Sequence, residues 1–192
     1  MIIGRFDLMY KTIGLDIDNT LTKIDTALRK ISEEFNVSEI TVDDVYDYDL
    51  CVCFGVSKNS TQRFWNEREV DIIRESELAE DRYESIMNMF GNKDTTYHIL
   101  TSRHPMYREE TVNWLKRNNI EYDKLIMTAG ASKIKHMKDL DIDLMVDDLP
   151  KLFYDAHNDK SLKTDMACIK YPYNINVPRK YLIDLQGNLL TD

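Results

Sequence analysis

Two carboxylates stand two residues apart where an apolar run gives out: Thr12-Ile-Gly-Leu-Asp16-Ile-Asp18-Asn19-Thr20. Ile13, Leu15 and Ile17 alternate with Gly14, Asp16 and Asp18, the period of an extended strand, so both acids leave it on one side. Carboxylates at the rim of a core are costly unless a cation or a hydrogen-bond network holds them. A plain turn at Asp-Asn-Thr would use the same residues without chemistry. Company argues for chemistry. A second acidic pair, Asp147-Asp148, closes the apolar stretch at Leu144–Val146, and Thr101, Ser102 and Arg103 close the one that starts at Tyr97. Adjacent like charges at 147 and 148 are tolerable where a divalent cation lies between them and Asp16. An all-oxygen set completed by water and phosphate suits Mg²⁺ better than zinc.

Lys133 adds a cation. Ser132 reads as an N-cap, which puts Lys133 in the first helical turn, where a positive charge opposes the helix dipole. Local rules tend to break at functional sites, and an anion bound there would reverse the penalty. A solvated surface lysine is the plain alternative, with Lys135 a second candidate. Thr101 with its neighbour Ser102, and Lys133, suit phosphoryl oxygens. One carboxylate can attack phosphorus, and a second can protonate the leaving oxygen and later activate water. Arg103 reads equally as a phosphate contact or a solvated loop residue.

The elements that must position these groups follow from periodicity. The first strand is followed by helical patterning over 22–93. Ile24, Leu28, Ile31 and Phe35 make one apolar stripe, and Ala79, Tyr83, Ile86, Met87 and Phe90 another, with Gly91 just past its end. A helix is expected over about 61–75, and 43–56 reads as loop or short strand. From 96 the rhythm becomes strand, helix, strand, helix: strands at 97–101, 125–128, 144–146 and 167–169, helices opening at Pro105, Ser132 and Pro150. The tail around Gln186-Gly187-Asn188 suits a hairpin. This alternation predicts an α/β fold, a Rossmann-like, mainly parallel sheet with right-handed crossovers and helices on both faces. It also predicts a core of 1–21 and 94–192 with a small helical cap, 22–93, inserted after the first core strand. Ligands of such a sheet bind beyond the carboxyl ends of its strands, where the acids, hydroxyls and lysine converge.

With 25 basic and 34 acidic side chains the net charge is −9, against a duplex nucleic acid partner. A small anion remains compatible once a metal reverses the local field. No apolar run approaches a membrane span. Arg5, Asp7 and Lys11 interrupt the N-terminal apolar residues, so no signal region is expected there. Cys51, Cys53 and Cys168 are odd in number and form no metal pair, and a cytoplasmic location with free thiols is expected. His98, His104, His136 and His157 lack metal-ligand spacing.

The order of these parts resembles the haloacid dehalogenase superfamily of phosphohydrolases. Its first motif, D-x-D-x-T, reads here Asp16-Ile17-Asp18-Asn19-Thr20. The second, a Thr or Ser ending a strand, is similar to Thr101 in His98-Ile99-Leu100-Thr101-Ser102. The third, a lysine opening a helix, fits Lys133, and the fourth, an acidic pair, fits Asp147-Asp148. The match spans residues 11 to about 150. It implies that Asp16 is the nucleophile that becomes a phosphoaspartate. It implies that Asp18 is the general acid/base and gives Mg²⁺ its backbone carbonyl. Asp147 or Asp148 then completes the metal site, with Asp147 the favoured direct ligand, and Thr101 and Lys133 bind the phosphoryl group.

Within the superfamily the chain is similar to the 5′(3′)-deoxyribonucleotidase group and its bacterial relatives. The pointers are Ile17-Asp18-Asn19-Thr20-Leu21, the pair Phe64-Trp65, and Tyr171-Pro172-Tyr173-Asn174. In that group cap aromatics sandwich the base, which makes Phe64 and Trp65 the candidate substrate-binding residues. Neighbouring helical residues point about 100° apart, so the two cannot face the same core. The function implied is a Mg²⁺-dependent 5′-nucleotidase with a nucleoside monophosphate as its small phosphomonoester, no duplex nucleic acid or membrane partner, and room for a homodimer. A phosphosugar or phosphoserine phosphatase is the alternative, and a non-catalytic or receiver-like phosphoacceptor a remote one.

Overall fold

A computed structural model describes residues 10–38 and 40–190; the stretch carrying Arg5 and Asp7 and the side chain of Cys51 lie outside the described residues. Among the described residues seven strands form one sheet: β1 (Thr12–Leu15), β2 (Thr96–Thr101), β3 (Lys124–Met127), β4 (Leu144–Asp147), β5 (Asp165–Ile169), β6 (Tyr181–Ile183) and β7 (Leu189–Leu190). Their order is β3-β2-β1-β4-β5-β6-β7, all parallel except β7, which closes the expected tail hairpin on β6. The chain thus steps one way from β1 to β2 and β3, then restarts on the other side of β1 at β4. The gap between the carboxyl ends of β1 and β4 is the topological switch point, where open α/β sheets bind ligands.

Side-chain alternation divides the core in two. Ile13, Leu15, Ile99, Leu144, Val146, Ala167 and Ile169 point to one face of the sheet. Trp114 and Leu115 of α5 (Arg108–Arg117) pack there, with apolar residues of α1 (Asp25–Phe35), α3 (Lys58–Glu75) and α4 (Glu80–Phe90). Leu100, Met145, Met166 and Cys168 point to the other, against Met137 of α6 (Ile134–Asp139) and Leu152, Phe153 and Ala156 of α7 (Pro150–Asn158). Gly14 faces that second layer, and a Cβ there would come within 2.6 Å of Met145 Sδ. Among the described residues no helix is long and apolar enough to cross a membrane.

Between β1 and β2 the chain leaves the sheet and returns through a narrow neck. Thr22 and Leu78 make an antiparallel bridge, Lys23 N donates to Glu77 O at 3.0 Å, and Ala79 N donates to Leu21 O at 2.8 Å. Beyond the neck lie α1, α2 (Leu50–Phe54) and α3. The 43–56 segment, read as loop or short strand, is loop over 45–49 and 55–56 and holds no strand among its described residues; a 3-10 turn at Val42–Asp44 and α2 make up the rest. Leu50 and Phe54, four apart on α2, are both buried, a spacing that the interleaved Asp and Tyr residues mask. α4, assigned to the insertion from periodicity, comes back to the sheet: Phe90 lies 5.1 Å from the Tyr181 ring of β6.

Candidate active site

The loop after β1 is wound tightly, which is how it can present two acids at once. Thr20, Leu21 and Thr22 all donate their N–H groups to Ile17 O, and Asn19 takes a left-handed φ of 59°, a conformation Asn tolerates better than most side chains. Asp16 N donates to Val146 O at 3.0 Å, tying this loop to the end of β4. Asp16 therefore meets the second acidic pair. One carboxylate oxygen from each of Asp16, Asp147 and Asp148 lies within 4.8 Å of the others, and all three residues are buried.

Lys133 reaches into this cluster. Its Nζ donates to Asp16 Oδ1 at 2.5 Å and to Asp147 Oδ2 at 2.7 Å, with the lysine 2% exposed. It is the N-cap of α6 rather than a first-turn residue, and Ser132 Oγ accepts only a long 3.4 Å bond from Ile134 N. Burial alone would depress the ammonium pKa. The charges of Asp147 and Asp16 outweigh that and hold it well above the usual lysine range. The solvated-lysine alternative does not describe this side chain.

Asp147 Oδ1 accepts the N–H groups of Asp148 and Leu149, both at 2.8 Å, at the start of α7. Asp148 Oδ2 accepts from Tyr173 Oη at 2.5 Å and from Asn19 at 3.4 Å, and Oδ1 from Thr20 at 3.4 Å. Asn174 Nδ2 anchors the backbone, donating to Asp148 O and Ile169 O at 2.9 and 2.8 Å. Burial, then the charge of Asp147, push the Asp148 carboxyl up to about 7 despite these donors. Burial likewise lifts Asp16 well above the usual carboxylate range, Lys133 opposing and the neighbouring acids reinforcing it.

Three buried carboxylates against one ammonium leave a formal charge of −2 among side chains that are almost wholly buried. Uncompensated charge there is expensive, and a hard divalent cation cancels it. The donor set is all oxygen, so the residues present fit Mg²⁺.

The Asp18 carboxylate stands outside this cluster, gripped by Arg103. Nε donates to Oδ2 at 2.9 Å and Nη2 to Oδ1 at 2.7 Å. Thr101 is fully buried at the end of β2 and its Oγ1 accepts from Arg103 N at 3.2 Å. Ser102, not Thr101, lines a 160 Å³ cavity together with Asp16, Asp18, Arg103, Lys133 and the acidic pair.

A second cavity, of 520 Å³, is lined by Trp65, Ile72, Ile73 and Leu50. Asp18, Tyr48, Glu69 and Arg103 border both. The Phe64-Trp65 pair splits as helical geometry requires. Trp65 faces the larger cavity, whereas Phe64 is 1% exposed and packs on Phe35 at 5.8 Å in the core. Phe64 is therefore not placed to touch a substrate.

Arg103, for which the sequence offers a phosphate contact or a solvated loop residue, is buried and pairs with Asp18, so the solvated reading does not describe it; Glu69, Tyr48 and the buttressing role of Tyr173 and Asn174 have no place among the candidates read from the sequence. Trp65, Glu69 and Ile72 lie at i, i+4 and i+7 on one face of α3, a pattern that marks Glu69 beforehand. Burial, then the charge of Asp18, raise the Glu69 carboxyl to about 7, with Arg103 opposing. A carboxyl that titrates higher folded than unfolded stabilises below its unfolded value near 4.5, and that contribution is lost as pH climbs through 7. Glu69→Gln should therefore leave Tm unchanged at pH 4 and raise it at pH 8. After discounting for partial exposure the gain is about 1 kcal/mol, or roughly 2–4 °C. Melting curves at the two pH values check the sign.

No family model matches the chain. It is 30% identical over 136 residues to "Putative nucleotidase YqfW" of Bacillus subtilis (strain 168), covering 71% of this chain and 69% of that protein. It is 24% identical over 170 residues to the 5'(3')-deoxyribonucleotidase of Clostridium acetobutylicum, covering 78% and 84%. In fold it is similar to the crystal structure of a haloacid dehalogenase-like protein of Agrobacterium tumefaciens, with a TM-score of 0.54 at 9% identity over 83% of this chain and 82% of that one.

Proposed function

This chain belongs to the haloacid dehalogenase superfamily of phosphohydrolases, and from that premise we propose that it removes phosphate from (deoxy)nucleoside monophosphates in a Mg²⁺-dependent reaction through a phosphoaspartate. The observation that carries this reading is the buried trio Asp16, Asp147 and Asp148 with Lys133 between two of them, at the switch point of the sheet.

In the proposed reaction an oxygen of Asp16 attacks phosphorus and the bond to the leaving oxygen breaks. Asp18 delivers a proton to that oxygen. In the second half Asp18 takes a proton from water, whose oxygen attacks the phosphoaspartate and frees Asp16. Lys133 orients Asp16 and, with Ser102 and the Thr101 end of β2, surrounds the phosphoryl oxygens. Asp16, Asp147, Asp148 and the backbone of Asp18 would hold Mg²⁺, which supplies charge neutralisation at the phosphoryl group when bound.

Two things support a nucleotide over a phosphosugar. The relatives carry nucleotidase names, and Trp65 presents a ring to a cavity of 520 Å³, within the range of about 300–1,000 Å³ common for small-molecule sites. The segment between Thr22 and Leu78 acts as the cap in this reading, with Trp65 the base platform. A stacked base contributes about 1–3 kcal/mol. Trp65→Ala should accordingly raise KM for nucleoside monophosphates about tenfold and leave KM for glycerol phosphate unchanged. A panel of nucleotides, phosphosugars and phosphoserine ranked by kcat/KM tests the assignment. Nucleotides ranking at the bottom would overturn it.

A further inference from the structure

Arg103 is buried to 3% exposure, and the protein holds it on three sides. Its backbone N–H is fixed on Thr101, Nη1 donates to Thr111 of α5 at 3.3 Å, and the guanidinium lies over the Trp114 ring, 5.8 Å from its centroid. Trp114 is itself pinned through Nε1 to Ser76 O at 2.8 Å. The remaining edge of the guanidinium makes the two-pronged contact with Asp18. The partners differ in freedom: the Arg103 side chain is 2% exposed, that of Asp18 46%. Among the described residues no other group hydrogen-bonds the Asp18 carboxylate.

A fork-to-fork pair sets the plane and direction of a carboxylate as well as its distance. It uses two of the roughly four lone-pair sites and leaves the others open. Asp18 and Arg103 also border both cavities, so their contact sits at the junction of the phosphate space and the leaving-group space. The ester oxygen that links phosphate to leaving group must lie at that junction.

We propose that Arg103 is a positioning residue that holds the exposed Asp18 carboxylate at the scissile oxygen. The inference rests on the reading of Asp18 as the acid that protonates that oxygen. A general acid misplaced by about 1 Å loses much of its effect, because proton transfer needs hydrogen-bond reach. A buried arginine with a merely structural role would, when lost, depress the reaction equally for every ester.

Leaving-group dependence separates the two. A nucleoside 5′-monophosphate expels an alkoxide that needs the proton, whereas p-nitrophenyl phosphate expels a phenolate that hardly does. Arg103→Met and Arg103→Lys are compared with Asp18→Asn and with the double variants, reading kcat/KM, which reports the first phosphoryl transfer. Arg103→Lys keeps the buried charge without the fork and covers the case in which Arg103→Met fails to fold. The expected result is a loss on the nucleotide that exceeds the loss on p-nitrophenyl phosphate by at least about tenfold, with no further loss when Asp18 is already Asn. Equal losses on both esters, or full additivity with Asp18→Asn, overturn the proposal while leaving the Asp18 assignment intact. If Asp18→Asn itself shows no leaving-group dependence, the Asp18 reading falls and this inference falls with it.

Discussion

Asp16→Asn should abolish phosphate release, by at least about 10³-fold in kcat, while the protein becomes more heat-stable in chelator. The two halves have one cause. Asparagine keeps the shape of the side chain and an oxygen that can accept from Lys133 Nζ, now 2.5 Å from Asp16 Oδ1. It removes the nucleophile, so no phosphoaspartate forms. It also removes one of three buried carboxylates, taking the cluster from −2 to −1 and relieving repulsion from Asp147 and Asp148. Turnover assays alongside melting curves in chelator check both halves. Turnover within tenfold of the parent would remove Asp16 from its role, and a lower Tm in chelator would show that the charge argument has the wrong sign.

Lys133→Met should have the largest effect on stability. The ammonium is buried between Asp16 and Asp147, and its removal leaves three carboxylates with no countercharge from a side chain. Breaking a buried pair by deleting one partner costs about 3–5 kcal/mol, which for a chain of this size lowers Tm by roughly 10 °C or more. Added Mg²⁺ should recover part of the loss, because binding to the folded state alone stabilises it by mass action and a more negative site binds the ion more tightly. Calorimetry with chelator and then with millimolar Mg²⁺ reads both steps. A variant that melts like the parent in chelator would mean the cluster is not charged as described.

Much of the layout was legible in one dimension because strand ends are local features. Ile13 to Ile17 alternate as a strand must, and the acids at 16 and 18 appear wherever that strand stops. The same holds for Thr101 and for Asp147-Asp148. Within 43–56 the loop is legible but α2 is not, because it is one short turn whose apolar pair sits among turn-forming residues. Trp65 and Phe64 are equivalent in sequence; only the placement of α3 against α1 settles which ring meets Phe35 and which faces the cavity.

Residue type, spacing and strand periodicity by themselves determined that acids, hydroxyls and a lysine sit at strand ends of a parallel sheet. Only the tertiary structure decided that β1 and β4 are neighbours, which brings Asp16 against Asp147 across more than a hundred residues of chain, and that Arg103 turns back onto Asp18. The physical reason is that strand order and long-range burial arise from how the layers pack, and hydrogen bonds between distant side chains leave no periodic trace in the sequence that makes them.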